Sequence, residues 1–196
     1  MTTILAIEGK NWAVLASDAL VSDDDGRRYQ LGGVTSKIFK QGQYNIAVAG
    51  DIRAMNIVRY VFSPPKPPKT RGEKLDKFMV SQFIPELRSA LEDQGYAPSD
   101  RKEQATHGSS IVVMVNASIY HIGFDYSWIK NVPGVYYAGS GGDFAIGALA
   151  GLCSNYFEHM TASQAADYVS TAVEIASRYD IATESPVSVV KDYWET

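Results

Sequence analysis

The chain has 196 residues, 45% of them hydrophobic and 20% charged, which is the balance of an ordinary globular domain with a full core. Its formal net charge of -4 argues against a nucleic-acid-binding protein, because such proteins usually present a basic face. With no run of roughly 18 apolar residues, no basic leader segment and a single cysteine, Cys153, we expect a cytoplasmic protein without a membrane span or an internal disulfide.

The first quarter of the chain predicts short β-strands. Residues 2–8 and 12–17 are apolar runs separated by a tight turn, a pattern that predicts a hairpin. Residues 23–26 (DDDG) mark a solvated turn. Residues 37–40 and 44–49 then form a second pair of predicted strands.

Helical periodicity follows. Apolar residues recur every three or four positions over 51–62, which predicts an amphipathic helix. Residues 63–71 (SPPKPPKTR) cannot continue it, and they predict a stiff, basic, exposed connector. A second helix is predicted over 73–92, and Pro85 inside it should produce a kink.

The second half of the chain again groups strands and then helices. We predict strands at 110–115, 118–124 and 135–138, helices at 143–157 and 163–178, and a last strand at 187–193. Thr161 and Gln164 have the spacing of a capping box at the start of the final helix. Grouped strands and helices predict an α+β fold rather than alternating βαβ units, organised as one domain over residues 1–196.

Thr2 is the first candidate for chemistry. Met1 precedes a small residue, which generally permits its removal, and Thr2 would then carry a hydroxyl and a free α-amine. An α-amine has a pKa near ~8 in model peptides, so it is partly neutral at pH 7 and can act as the base for the hydroxyl of its own residue. Many proteins begin with Met-Thr, so this signal needs further residues to support it.

Asp18 and Lys37 supply that support. Each charged side chain interrupts an apolar strand pattern, and a buried lysine needs a partner because an isolated buried ammonium is unfavourable. A Lys37–Asp18 pair near Thr2 would lower the pKa of the α-amine and stabilise a forming alkoxide. The alternative interpretation is two surface charges at strand ends.

Several short segments occur in a fixed order along the chain: Thr2-Thr3, Asp18 sixteen residues after Thr2, Lys37-Ile38-Phe39, the turn at 47–51 (AVAGD), the turn at 139–142 (GSGG) and the segment 180–183 (DIAT). In this order they resemble the proteasome β-subunit family, including its bacterial HslV-type members. The hairpin that contains the three aspartates is a few residues longer than is usual in that family. Each segment is weak alone, but together they span nearly the whole chain.

The resemblance implies a four-layer αββα sandwich of the N-terminal-nucleophile hydrolase type and assigns the site residues. Thr2 would be the nucleophile and base, Lys37 would tune the amine, and Asp18 would hold the lysine. Ser140, Asp180 and Thr183 would form a polar network around the amine, with Thr183 standing where the family usually has serine. The backbone N–H of Ala47 would be the oxyanion donor, at a position where the family usually has glycine.

The resemblance also implies an activity and partners. The chain would be a threonine endopeptidase subunit that cleaves polypeptides inside homo-oligomeric stacked rings, served by a separate ATP-dependent unfoldase ring. Three alternatives remain at this stage: an amidohydrolase of the same fold acting on a small amide, an inactive ring-forming homologue, and a binding module without chemistry.

Other motifs predict no cofactor and no metal. The 139–142 turn lacks the Gly-Lys-Ser/Thr ending of a phosphate-binding loop and the last glycine of a dinucleotide fingerprint. The aspartates at 23–25 lack the distal glutamate of a calcium loop. His107, His121 and His159 show no metal-binding spacing, and Cys153 is expected to pack on an apolar helix.

Overall fold

The structure is a computed structural model, and it describes residues 2–22, 25–96, 108–132, 134–153 and 159–195. Met1, His107, Asp23 and Asp24 of the predicted aspartate turn, and the predicted helix end at 154–157 lie outside these residues. The strands are β1 (Ile4–Glu8), β2 (Trp12–Ser17), β3 (Leu20–Ser22), β4 (Arg28–Gln30), β5 (Ile38–Gln41), β6 (Tyr44–Ala49), β7 (Ser110–Val115), β8 (Ser118–Ile122), β9 (Trp128–Ile129), β10 (Val135–Ala138) and β11 (Ser188–Tyr193). The helices are α1 (Ile52–Tyr60), α2 (Glu73–Phe78), α3 (Ile84–Asp93), α4 (Gly142–Leu152) and α5 (Ala162–Ala176).

Two antiparallel sheets pack face to face at the centre of the molecule. One has the order β10-β1-β2-β11 and the other β5-β6-β7-β8-β9, while β3 and β4 form a separate hairpin. Small and branched side chains from both sheets fill the space between them, including Ala6, Leu15, Ala47 and Val112. β1 and β2 are buried almost throughout because each sheet is also covered on its outer face.

Helices form the two outer layers. α1, α2 and α3 cover the five-stranded sheet with an apolar core that includes Phe83 and Leu87. α4 and α5 cover the four-stranded sheet, where Val169 and Val173 are fully buried. The predicted α+β sandwich with four αββα layers is therefore confirmed. In the described part of the chain, no helix is both long enough and apolar enough to cross a bilayer.

Pro85 affects the long predicted helix in a specific way. A π-helical turn, Met79–Phe83, separates α2 from α3, and Pro85 lies in the first turn of α3. A proline removes the hydrogen bond to the residue four positions earlier and clashes with its carbonyl, and that residue, Ser81, lies within the π turn. At the position of the predicted kink, the helical winding therefore changes from α to π and back.

The Pro-Lys connector is more closely packed than the sequence predicts. Pro67 is buried, and the Tyr44 hydroxyl donates to the Pro65 carbonyl at 2.7 Å. Arg71 is about one-fifth exposed and donates to Glu8 at 3.4 Å and to the Ala117 carbonyl at 2.8 Å. The prediction of an exposed connector was wrong for these residues, because proline leaves carbonyls without helical partners and neighbouring side chains bind them.

Candidate active site

Thr2 lies two residues before β1 and is only 4% exposed. The β1–β2 hairpin pairs Ile4 with Ser17, and this register places Asp18 opposite Thr3. The Thr3 N–H donates to Asp18 Oδ1 at 2.8 Å, and the Asp18 N–H donates to the Thr3 carbonyl at 3.2 Å. The start of the chain is therefore held against the end of β2 by both backbone and side chain.

Asp18 and Lys37 form the predicted buried pair. Lys37 Nζ lies 2.7 Å from Asp18 Oδ1, and each residue is 1% exposed. The other carboxylate oxygen, Oδ2, accepts from the N–H groups of Leu20 at 2.9 Å and Glu184 at 3.3 Å. These hydrogen bonds replace the hydration that the Asp18 carboxylate loses on burial, and a buried charge is stable only with such partners.

The electrostatics of Lys37 reflect its burial. Loss of hydration lowers the pKa of the Lys37 ammonium below its ordinary value of 10.5, while the pair with Asp18 acts in the opposite direction. Lys37 also lines a small cavity together with Thr2, and the volume of this cavity is about 20 Å³. That volume is about enough for one water molecule. A positive charge thus borders the space beside Thr2.

A second polar cluster contains the other predicted residues. Asp180 Oδ2 accepts from the Ser140 hydroxyl at 2.9 Å and from the Thr183 hydroxyl at 2.6 Å. Asp180 Oδ1 accepts from the Ala182 N–H at 3.3 Å. Asp180 and Thr183 are buried. Through these hydrogen bonds, the structure brings Ser140, Asp180 and Thr183 together, as predicted from the sequence.

Thr3 belongs to this second cluster, although the sequence pattern predicts no separate role for it. Its hydroxyl forms a short hydrogen bond with the Thr183 hydroxyl, and Thr3 is fully buried. Its backbone N–H is bound to Asp18, so Thr3 connects the two polar clusters. The available signal was a second hydroxyl residue beside Thr2, entering a strand that is otherwise apolar.

The 139–142 turn is shaped to contact the chain start. Gly139 has φ 84°, and a Cβ there would lie 1.9 Å from the Thr2 carbonyl oxygen. A Cβ on Gly141 would lie 1.9 Å from the Thr3 hydroxyl oxygen. The glycines therefore allow close approach to residues 2 and 3, and this packing explains the glycine-rich turn without a phosphate.

Ala47 is placed differently from the other predicted site residues. It lies inside β6, fully buried, and is paired with Ile38 on one side and Val112 on the other. The end of the same strand, at Val48 and Ala49, lines the cavities that Thr2 also lines. The structure thus brings the end of β6, rather than the Ala47 side chain, to Thr2.

The remaining candidates lie apart from this site. His121 is on β8, and its Nε2 atom is buried without a hydrogen-bond partner among the described residues; burial lowers its pKa. Cys153 is packed at the end of α4, and burial raises the pKa of its thiol. The described ranges contain no group of three or more His, Cys, Asp or Glu residues that could hold a metal ion.

Solved structures share this architecture at low sequence identity. Thiobacillus denitrificans BPH in complex with epoxomicin has a TM-score of 0.73 at 17% identity, over 99% of this chain and 100% of that one. For eukaryotic HslV from Trypanosoma brucei the TM-score is 0.62 at 20% identity, over 96% and 98% of the two chains. For the Anbu (Gly-1) mutant from Hyphomicrobium sp. strain MC1 it is 0.67 at 12% identity, over 98% and 82%.

Comparison of sequences alone does not detect a known relative of this chain. No protein-family model matches the chain, and no curated protein matches its sequence. The similarity is therefore one of fold, and it extends over nearly the full length of this chain in each comparison. On that evidence, the chain has the fold of the proteasome-like and HslV-like proteins.

Proposed function

We propose that this chain is a threonine peptidase subunit in which Thr2, freed by removal of Met1, is the nucleophile. The observation that carries the proposal is the position of residues 2 and 3 between a buried lysine–aspartate pair and a buried hydroxyl–carboxylate network. A free α-amine at Thr2 would provide the base for the hydroxyl on the same residue. The resemblance to proteasome β-subunits assigns the same roles to these residues.

The proposed reaction has two balanced steps. The α-amine takes the proton of the Thr2 hydroxyl as Oγ attacks the peptide carbonyl carbon; the C–N bond breaks, and the protonated amine gives that proton to the leaving amine. An ester then links Thr2 to the acyl part of the substrate. Water attacks this ester with the α-amine again as base, and the acid is released as Thr2 Oγ regains a proton.

The surrounding residues prepare Thr2 for these steps. Lys37 provides positive potential that keeps the α-amine neutral more of the time and stabilises negative charge on Oγ. Asp18 fixes the position of Lys37, and Ser140, Asp180 and Thr183 orient the amine. A backbone N–H of β6 is the proposed oxyanion donor; Ala47 is the residue that the resemblance implies.

The buried pair disfavours an inactive homologue. Replacing a buried ion pair by apolar residues of similar volume is often neutral or stabilising, so stability alone gives little reason to retain Lys37 and Asp18. A function that needs a charge beside Thr2 does give a reason. We further propose cytoplasmic homo-oligomeric rings that accept polypeptides from an ATP-dependent unfoldase, by similarity to the proteasome-like and HslV-named proteins above.

The test begins with intact mass spectrometry and a substrate panel. We expect the mature chain to lack Met1, to cleave peptides in preference to small acyl amides, and to be inhibited by epoxomicin, the compound bound in the Thiobacillus structure. Thr2→Ala should assemble normally and lose at least ~10³ in kcat/KM, whereas Thr2→Ser should retain part of it. Unchanged turnover in Thr2→Ala, or full activity with Met1 attached, would refute the proposal.

A further inference from the structure

Two recesses adjoin Thr2, and they differ in size and in wall chemistry. The small one, of about 20 Å³, is lined by Lys37, Val21, Val48, Ile52 and Met55, among others. The large one, of about 480 Å³, is lined by Ala49, Ser109, Ser110, Phe124 and Ser140, among others. Thr2 and Gly50 line both recesses. A substrate bound across Thr2 would therefore have a separate space on each side of the reacting carbonyl.

The Gly50 turn is the wall common to both recesses, and it is tightly held. Gly50 has φ 127°, and a Cβ there would lie 2.7 Å from the Gly108 carbonyl oxygen and 2.8 Å from Ser109 Oγ. Ser109 is buried and accepts from the Asp51 N–H at 3.1 Å, while the Tyr96 hydroxyl lies 3.4 Å from the same oxygen. These contacts give the wall a fixed position before any substrate binds.

The proposed mechanism assigns a side of the substrate to each recess. The leaving amine must receive its proton from the Thr2 α-amine, which the proposed function assigns to Ser140, Asp180 and Thr183 to orient. Ser140 lines the large recess, whereas Lys37 lines the small one. The leaving group therefore departs on the side of the large recess, and the acyl part lies on the side of Lys37.

We infer that the large recess binds the substrate residue on the C-terminal side of the scissile bond and selects an apolar or aromatic side chain there, with Phe124 as the specificity-determining residue. This inference rests on the proposed function. None of the described residues that line the recess has a charged side chain, and Phe124 is 63% exposed. Burying that ring against an apolar side chain would remove apolar surface from water on both partners.

The experiment uses two series of internally quenched peptides with the full chain. In the first series only the residue after the scissile bond varies, as Phe, Leu, Gly or Asp; in the second only the residue before it varies. We expect the wild type to prefer Phe over Gly in the first series by roughly tenfold in kcat/KM, a usual size for recognition by an apolar pocket.

Variants separate the inference from the general activity. Phe124→Ala should bring the Phe-to-Gly ratio of the first series close to one and leave the ratios of the second series unchanged, and Phe124→Leu should restore part of the preference. Tyr60→Ala is the matched control, because Tyr60 is 69% exposed at the end of α1 and should alter neither series.

Each other outcome overturns the inference. If Phe124→Ala cleaves peptides with the first-series ratio intact, Phe124 does not select the leaving side, although the proposed peptidase function stands. If Phe124→Ala instead changes the kcat/KM ratios of the second series, the two recesses have been assigned to the wrong sides of the scissile bond. If the wild type cleaves no peptide, the proposed function and the inference fail together.

Discussion

The two polar clusters beside the chain start differ in what they can do with a proton. The Lys37–Asp18 pair is fully enclosed and is held by backbone N–H groups, so its charges are fixed in place. The Ser140–Asp180–Thr183 cluster is built from hydroxyl groups on one carboxylate oxygen, and hydroxyls can both donate and accept. The Lys37–Asp18 pair can therefore provide a constant electrostatic potential. The Ser140–Asp180–Thr183 cluster can provide hydrogen bonds to a group that gains and loses a proton, as proposed for the Thr2 α-amine.

The largest predicted effect removes the fixed charge. Lys37→Met keeps similar volume but leaves Asp18 buried without its ammonium partner, which typically costs about 3–5 kcal/mol of unfolding free energy. We also expect kcat/KM to fall by at least ~10², because one preorganised electrostatic contact is typically worth that much. Urea unfolding and peptide cleavage measure the two quantities.

Lys40→Met is the matched control for this change. Lys40 is exposed on β5, the strand that begins directly after Lys37, so its replacement should alter stability by no more than about 0.5 kcal/mol and leave cleavage unchanged. Equal effects of the two substitutions would mean that the buried charge of Lys37 has no special role.

A smaller effect is expected in the hydroxyl cluster. Thr183→Val keeps the shape but leaves Asp180 and the Thr3 hydroxyl each without one partner, at a cost of about 1–3 kcal/mol in unfolding free energy. Thr183→Ser retains the hydroxyl and should recover most of the loss. The comparison of the two variants by thermal unfolding and by kcat isolates the hydrogen bond; identical behaviour would show that Thr183 contributes only packing.

The smallest predicted effect is a pH dependence, and it changes stability and cleavage activity in opposite directions. Burial lowers the pKa of Lys37 in the folded state below 10.5, so between the folded and unfolded pKa values the unfolded chain binds more protons. The Lys37 contribution to unfolding free energy therefore rises with pH across that window. Activity should fall over the same window, since neutral Lys37 no longer provides positive potential.

Lys37→Arg checks the assignment of this alkaline decline. A guanidinium stays protonated far above the range in which a lysine titrates, so the decline in cleavage rate should move to higher pH in any residual activity of the variant. A decline at unchanged pH in Lys37→Arg would assign it to another group.

The sequence predicts the fold and the first cluster better than the rest of the site. Asp18 and Lys37 are conspicuous because each places a charge in an apolar strand pattern, and their pairing follows from the need to neutralise a buried ammonium. The signal at Thr3, a hydroxyl beside an apolar strand, is weaker than a charge because threonine is common in strands. Its role depends on contacts with Asp18 and Thr183, which are 15 and 180 positions away in the chain.

The other differences between the sequence-based predictions and the structure also arise from contacts between residues distant in the chain. The π-helical turn before Pro85 and the packing of the Pro-Lys connector depend on neighbours that apolar periodicity does not encode. The placement of Ala47 inside β6 depends on strand register, which is set by pairing with β5 and β7. The two recesses arise from the Gly50 turn and from Ser109, which are distant in sequence and were not connected by any motif.

The central position of β1 has a consequence for the timing of activation. β1 is bordered by β2 and by β10, which begins only at Val135, and the chain start is held by Gly139, Gly141 and Thr183. Pairings between such distant segments form only after most of the chain is available. A nascent chain that ends before Thr183 therefore carries Thr2 in an unassembled site, so the proposed hydrolytic activity would begin only after Thr183 has been synthesised.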